Sequence, residues 1–500
     1  MNILTQSSVE CFRTLMDDDL LQKIVAPVIF APTAENYTNM TSSIDALSRN
    51  TSLYQMRVVI EQADLRFRNS PGRTDRYYVK QTRERTLMTL FGELTFKRTE
   101  YIDRGNGTSF IYIDRKIGLL KRMRYDPAVC ALIYETYSDQ NSMIKAGKLI
   151  GERLHPFTMN DDRSEYWIPR QTVQKILLRF KKIQPQIERL KETPETLFVM
   201  ADEKYIPLQR AKILADELKP HMDEEISSYR GHIKAQIKIA VVFHGRIRKT
   251  KKNGEFSERW ELTEKQIFTY PEDTKNFWVH LNEDLARRYD MTTVRNIYVM
   301  GDGASWIKAG PNELRTQDSE AAYAADRFHC INAINKITKD DSNRKLLLDY
   351  AYKAKKDDFN KVAEALQSSS VLSSESYKST VNYVLNQIDG LLIMNQKVKI
   401  GCSMEQAIQH ILASPFTSVP KAYAKENLYT YVTARTAQQN GANMRLMYIK
   451  AIDRYVYDGS TTVDFRDEGL DLGIFDSSKT DGSPNVLGEF NFRGVLWGSA

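Results

Sequence analysis

Three acidic residues stand where predicted elements begin or end, and together they could perform metal-dependent chemistry. Asp202 follows the apolar run "TLFVMA", Asp302 lies between two glycines after "NIYVM", and Glu405 lies near the start of a predicted helix. Converging carboxylates repel one another, and divalent cations with oxygen ligands relieve that repulsion. A pair of such ions can activate water or a 3′-hydroxyl for in-line displacement at phosphorus. We therefore expect a phosphoryl-transfer site that binds Mg²⁺ or Mn²⁺, with two ions.

Each of these acids also has a purely structural interpretation. Asp202 could cap a strand end, Asp302 could be an ordinary turn residue, and Glu405 could be a solvated acid in the first turn of a helix. Glu203 is a rival acid. So is Asp326, which ends another predicted strand and could join the metal shell or orient its neighbour. Possible supporting residues are therefore Asp326, Arg327 and His329, although His329 could simply pack.

The order of elements after residue 195 explains how distant acids could meet. Apolar strands and helices alternate as β-β-β-α-β-α-β-α, which predicts a mixed five-stranded sheet with helices packed on it. This is the order of the ribonuclease-H-like fold, in which the strands that carry Asp202 and Asp302 are neighbours. We expect an α/β protein whose core holds a helical insertion before Glu405.

The rest of the chain divides into smaller parts. A small β element of a hairpin and a third strand precedes three short helices, which resemble a helix-turn-helix module. The predicted boundaries are a helical region 1–70, the β element 71–120, a helical DNA-binding module 121–190, the first part of the core 191–330, the insertion 331–398, the final core helices 399–450 and a loosely ordered tail 451–500.

Basic residues mark two candidate DNA contacts. One is the start of the third helix of the module, and the other is a basic turn after the second long strand. A solvated charged surface is the alternative for both. The candidate DNA-binding residues are Arg170, Gln171, Thr172, Lys175, Arg246, Arg248, Lys249, Lys251 and Lys252.

Composition limits the class of protein. The 500 residues carry a formal net charge of +7, which is compatible with a polyanion partner. The four cysteines form no Cys-x-x-Cys pair, which argues against a zinc site or a disulfide scaffold. No apolar run approaches the ~18 residues of a membrane span, and the amino terminus lacks signal-peptide features. We expect a cytoplasmic, multidomain protein without a membrane partner.

Four motifs, in order, resemble the ISLre-two family of bacterial insertion-sequence transposases, which is also catalogued as an uncharacterised protein family. They are "RTLMTLFGELTFKRTEYID", "YVMGDGASWIKAG", "ADRFHCINAINKIT" and the segment that begins "GCSMEQAIQHILASPF". The resemblance spans about residues 80 to 445. It implies an Asp-Asp-Glu triad at Asp202, Asp302 and Glu405. The chain departs from the family where Glu203 replaces a glycine and where Ala407 stands in place of an expected histidine.

The resemblance and the acids lead to one expected function. It is a transposase that binds the terminal inverted repeats of an insertion sequence, cleaves double-stranded DNA and joins it to target DNA. A homodimer would hold the two DNA ends that this reaction needs. Two alternatives remain at this point: a catalytically inactive or domesticated DNA-binding protein on the same fold, and a structure-selective nuclease without strand transfer.

Overall fold

The computed structural model describes residues 33–156, 164–180, 183, 187–209, 226–229, 232–250, 254–370, 372–417 and 422–458. The helices are α1 Ala34–Asn69, α2 Pro71–Arg76, α3 Tyr112–Lys116, α4 Pro127–Gln140, α5 Met143–Leu154, α6 Arg170–Leu177, α7 Phe277–Arg288, α8 Ser305–Leu314, α9 Arg327–Ile337, α10 Asp341–Tyr352, α11 Lys356–Leu366, α12 Ser374–Leu385, α13 Ile388–Ile393, α14 Met404–Ile408, α15 Ser414–Thr417, α16 Lys425–Gln439 and α17 Met444–Asp458. Two π-helical segments, Met394–Val398 and Gln409–Ala413, follow α13 and α14.

The strands are β1 Tyr77–Thr89, β2 Gly92–Asp103, β3 Ser109–Ile111, β4 Thr196–Pro207, β5 Ile226–Tyr229, β6 His232–Phe243, β7 Gly245–Thr250, β8 Phe256–Thr263, β9 Gln266–Thr269, β10 Asn296–Gly301 and β11 Glu320–Ala325. The chain divides into two compact units. The first combines residues up to 180 with those from 443 onwards, and the second holds residues 181–442.

The first unit contains the small β element and the helical module. β1, β2 and β3 form an antiparallel sheet, and α1 supplies Phe67 to its aromatic core. The Phe67 and Tyr112 rings stack with centroids 3.8 Å apart. The predicted third strand is much shorter than the segment 109–120, because the chain turns into α3 at Tyr112.

The last described helix belongs with the first unit, which corrects the prediction that a tail begins at residue 451. α17 runs through that position and ends at Asp458. Its Arg445 pairs with Glu135 of α4, and its Tyr448 hydroxyl lies 3.4 Å from the Ile176 carbonyl. Residues 459–500, where the remainder of the predicted tail falls, lie outside the described residues.

The second unit is built on a mixed sheet, as predicted. The strand order is β11-β10-β4-β6, and β5 and β9 both pair with the far side of β6. β4, β10 and β11 are parallel to one another, whereas β6 is antiparallel to β4. The five predicted strands are present, and the short β5 was not predicted.

Helices α7 and α8 cover one face of β4. Leu197, Val199 and Ala201 point to one face and pack in a core with residues of α7 and α8. The alternate residues point to the other face, since successive side chains of a strand face opposite ways. A separate core joins the helices α9 to α13.

Two predicted long strands are each divided in the structure. The basic segment after β6 breaks at His244 and continues as β7, and the next strand breaks between β8 and β9. β7 and β8 pair only with each other, so they form a hairpin separate from the main sheet. None of the helices in the described ranges is both long and apolar enough to cross a membrane.

Candidate active site

The sheet register brings the first two acids to the same level. Met200 of β4 pairs with Met300 of the parallel β10. Asp202 and Asp302 each come two residues later, so both lie at the same edge of adjacent strands. Asp202 remains within β4, where it is opposite Ile239 of β6. The predicted proximity of these two acids follows directly from this parallel pairing.

Asp302 is held in a tight turn at the end of β10. Its Oδ1 accepts a hydrogen bond of 3.0 Å from the Ala304 amide. Gly303 adopts φ +97°, a region that side chains disfavour, and a Cβ there would lie 1.9 Å from the Gln387 Nε2. The glycine after Asp302 is therefore required by the backbone conformation and by the close approach of the helical insertion.

Side chains of the sheet and of the insertion fix this turn. The Tyr383 hydroxyl of α12 donates to the Asp302 carbonyl at 2.8 Å. The Tyr323 hydroxyl of β11 lies 2.9 Å from both the Gly301 carbonyl and Gln387 Oε1. The insertion therefore packs against the strand end that carries the second acid.

The third acid lies on a helix over the same face of the sheet as Asp202. Asp202 and Met200 point to the same face because they are two positions apart on β4. The Ser403 amide, just before α14, lies 3.3 Å from the Met200 sulfur. Glu405 follows in the first turn of α14, and its side chain is 62% exposed. Ser403 is at the N-cap position but makes no side-chain capping bond.

The rival acid Glu203 points to the opposite face. Its Oε2 accepts a hydrogen bond from the Trp306 indole, and Trp306 packs against the core formed with α7 and α8. Burial raises the pKa of Glu203, and the nearby Lys238 opposes that rise. Glu203 is therefore placed away from the face that carries Asp202 and the Glu405 helix.

A histidine lies between Asp326 and Glu405. The His329 Nε2 is 3.8 Å from Asp326 Oδ2 and 3.9 Å from Glu405 Oε1. Asp326 also caps α9, because its Oδ1 accepts from the Phe328 amide at 2.9 Å. Arg327 points elsewhere and donates to the Met394 carbonyl at 3.2 Å. The structure thus brings Asp326, His329 and Glu405 together and gives Arg327 a bond to the backbone of the insertion.

The acids influence one another electrostatically. Burial, together with the charges of Asp302 and Glu203, raises the pKa of Asp202 to about 7. Burial and the charges of Glu405 and Asp302 raise the pKa of Asp326, while His329 opposes the rise. A bound cation would favour the ionised form of such carboxylates.

The donor set fits a hard divalent cation in chemistry and in charge. Carboxylate oxygens are the ligands that Mg²⁺ prefers, usually one or two of them together with water and phosphate oxygens. Among the described residues, however, no group of three or more His, Cys, Asp or Glu side chains is close enough to hold a metal ion. Asp202 and Asp302, at the same level of two parallel strands, are the residues that would hold such a cation.

A profile of the uncharacterised protein family UPF0236 matches residues 35–451, well over half of the chain. The chain belongs to this family. Two UPF0236 proteins of Caldanaerobacter subterraneus subsp. tengcongensis are each 22% identical to it over 416 residues, 82% of this chain and 79% and 75% of theirs. A third from the same strain is 22% identical over 453 residues, 89% of this chain and 85% of its own, and its name joins eleven designations.

This UPF0236 chain displays most of the predicted basic residues at its surface. In the first unit, Arg170, Gln171 and Lys175 of α6 are exposed and Thr172 is half-buried. In the second unit, Arg246, Arg248 and Lys249 are exposed on β7. Lys251 and Lys252 lie outside the described residues.

Sequence reasoning missed the residues that position Asp302. Tyr323 lies on β11, Tyr383 on α12 and Gln387 between α12 and α13, and nothing in their spacing marks them. The signal that could have found them is Gly303, since a glycine after an acid in a turn predicts a close neighbour. Exposed Trp260 of β8 was also missed.

Proposed function

We propose that this protein is a Mg²⁺-dependent DNA transposase, with Mn²⁺ as an alternative ion, that cleaves insertion-sequence ends and transfers them to target DNA. The observation that carries the proposal is the placement of Asp202 and Asp302 at one level of two parallel strands. The helix of Glu405 lies over the face to which Asp202 points. Metal-dependent phosphoryl transfer needs oxygen ligands for the metal ions, which these acids supply, and it needs no Ser or Cys nucleophile.

Strand order supports a ribonuclease-H-like core. The strand order of that fold matches the order β9-β6-β4-β10-β11 of this sheet. Strands β4, β10 and β11 are parallel, and β6 is antiparallel to them, as that fold also requires. A helical insertion before Glu405 agrees with the resemblance to the ISLre-two transposases. One relative carries eleven designations in a single strain, as expected of an element that copies itself.

The residues of the site have separate tasks in this proposal. Asp202, Asp302 and Glu405 would hold the cations, and His329 could donate to a phosphate oxygen from its place between Asp326 and Glu405. The chemistry that Mg²⁺ supplies there is activation of water or a 3′-hydroxyl and stabilisation of the leaving oxygen. Water would attack first, and the freed 3′-hydroxyl would then attack target DNA.

An inactive DNA-binding protein is the second candidate, and the surroundings of Glu405 favour it. Glu405 is largely exposed and no group of three potential ligands among the described residues is close enough to chelate. Ala407 also stands where the related transposases are expected to have a histidine. Both candidates bind DNA, but only the transposase cleaves and joins it.

Cleavage assays on matched DNA distinguish the candidates. Purified protein would be incubated with Mg²⁺ on labelled duplexes that end either in the element's inverted repeat or in a scrambled repeat. A transposase cleaves and joins the first duplex and spares the second. Equal cleavage of both indicates a structure-selective nuclease, and binding without products under Mg²⁺ or Mn²⁺ indicates the inactive protein.

A further inference from the structure

The β7–β8 hairpin carries exposed aromatic side chains. Trp260 is 49% exposed and Phe256 is 70% exposed. The hairpin register shifts between Arg248 and Thr250, which pair with Trp260 and Phe256, so an irregularity in the ladder separates the two rings. Two other tryptophans are not displayed in this way. Trp278 is 7% exposed and belongs to the core formed by β4, α7 and α8, and Trp306 packs against that core.

Arginines from the neighbouring strand flank the exposed indole. Arg248 pairs with Trp260 across the hairpin, and Arg246 is two positions away on the same face. Their guanidinium carbons lie 5.4 and 4.5 Å from the centroid of the Trp260 ring. No ion pair between described residues involves either arginine, whereas Lys249 pairs with Glu261 at 2.6 Å on the other face.

Charge identifies the class of partner for this face. Residues 245–263 contain six Lys or Arg and three Asp or Glu. Guanidinium groups beside an exposed indole, with no ion pair to another described residue, are suited to a polyanion with flat rings, since arginine binds phosphate and aromatic rings stack on bases. In an intact duplex the base faces are covered by their neighbours, so an indole can stack only on an unpaired or terminal base.

We infer that Trp260, with Arg246 and Arg248, forms a binding site for unpaired nucleotides of DNA. Phe256 is a second exposed ring on the same hairpin. This inference rests on the proposed function, because DNA is the substrate that the site would bind.

The site is remote from the acids. Asp202 is opposite Ile239, and β7 begins six residues beyond Ile239, about 20 Å along the strand at ~3.3 Å per residue. β6 runs antiparallel to β4, so the hairpin leaves the sheet at the edge opposite to Asp302. Trp260 therefore contributes to DNA binding and takes no part in the chemical step.

DNA binding without chemistry tests the site. Fluorescence anisotropy in EDTA would compare a labelled single strand, a blunt duplex of the same sequence and that duplex with an internal unpaired bulge. Stacking on one base contributes about 1–3 kcal/mol, so Trp260→Ala is expected to weaken binding of the strand and the bulge by about 5- to 150-fold. Binding of the blunt duplex should change much less.

Matched variants give the comparison its controls. Trp260→Phe keeps a ring and should retain most of the affinity. Val279→Ala changes another exposed side chain, on α7, and should have no effect. Glu258→Gln removes an exposed acid of β8, two residues from Trp260, and should strengthen binding to every DNA. Arg246→Gln with Arg248→Gln should weaken binding to all three and reduce its salt dependence.

Two results would overturn the inference: no change in Trp260→Ala, or an equal loss on all three DNAs. The second result would indicate a general effect on the hairpin. Cleavage by the wild-type protein, measured separately with Mg²⁺, separates this outcome from the proposed function. Selective loss in Trp260→Ala without any cleavage would support the nucleotide site and contradict the transposase.

Discussion

At the scale of residues, the sequence located the first two acids because each follows an apolar strand. It could not separate Asp202 from Glu203, because the choice depends on which face of β4 each side chain occupies. The structure separates them through the Trp306 bond to Glu203 and the Ser403 contact with Met200. The position of Glu405 over that face depends on packing that no local pattern encodes.

Asp202→Asn should stabilise the metal-free protein and remove its response to Mg²⁺. The carboxylate is costly to ionise because it is half-buried and near Asp302. An amide of the same shape removes that repulsion but is a poor metal ligand. Differential scanning fluorimetry with and without Mg²⁺ measures both effects. Glu313→Gln, on the exposed surface of α8, is the control and should behave as wild type. A variant that is less stable without metal and still gains stability from Mg²⁺ would contradict this role.

At the scale of elements, the sequence predicted helices and strands well where local signals are strong, and it predicted their boundaries poorly. Asp-Pro at residues 126 and 127 marked the start of α4, and Asp126 does cap it through a 2.7 Å bond from the Val129 amide. The basic strand was predicted as continuous across His244, because alternation persists through the break. The end of β3 was also predicted poorly. The residues "SFIYID" favour a continuous strand, but the chain becomes helical at Tyr112, whose ring packs against Phe67.

Asp126→Asn should stabilise the protein more at about pH 8 than at about pH 5. Burial raises the pKa of Asp126 from 3.8 to about 6, so its ionisation opposes folding. That opposition is complete above about pH 6 and disappears as the pH falls towards 3.8. Asparagine caps a helix about as well as aspartate and carries no charge. The gain in unfolding free energy should be about 1 kcal/mol larger at the higher pH.

Urea unfolding of both proteins at the two pH values gives the comparison. Asp340→Asn provides the control, because Asp340 caps α10 from an exposed position through a 2.8 Å bond from the Asn343 amide. Its replacement relieves no burial, so it shows the effect of exchanging an exposed cap at the same two pH values. A larger gain in unfolding free energy for Asp126→Asn at the lower pH would contradict the conclusion that ionisation of Asp126 opposes folding.

At the scale of the whole molecule, the sequence predicted several parts and the structure groups them into two units. The grouping of α17 with the first unit could not be read from the sequence, because it joins segments more than 260 residues apart. The mixed sheet was predictable because alternating strands and helices strongly restrict topology. The chain belongs to the uncharacterised family UPF0236, and the narrower resemblance to the ISLre-two transposases remains a proposal. Transposition remains a proposal.

Strand cleavage by Asp302→Asn is the most direct test of whether Asp302 belongs to a metal-dependent active site. Wild type and variant would be incubated with labelled element-end DNA and target DNA, with Mg²⁺ and with EDTA. Binding would be measured in parallel. We expect cleaved and joined products from the wild type with Mg²⁺, none with EDTA, and none from the variant although it still binds DNA. Products from Asp302→Asn at the wild-type rate would contradict the assignment of the site, and binding without products from the wild type would contradict the enzyme.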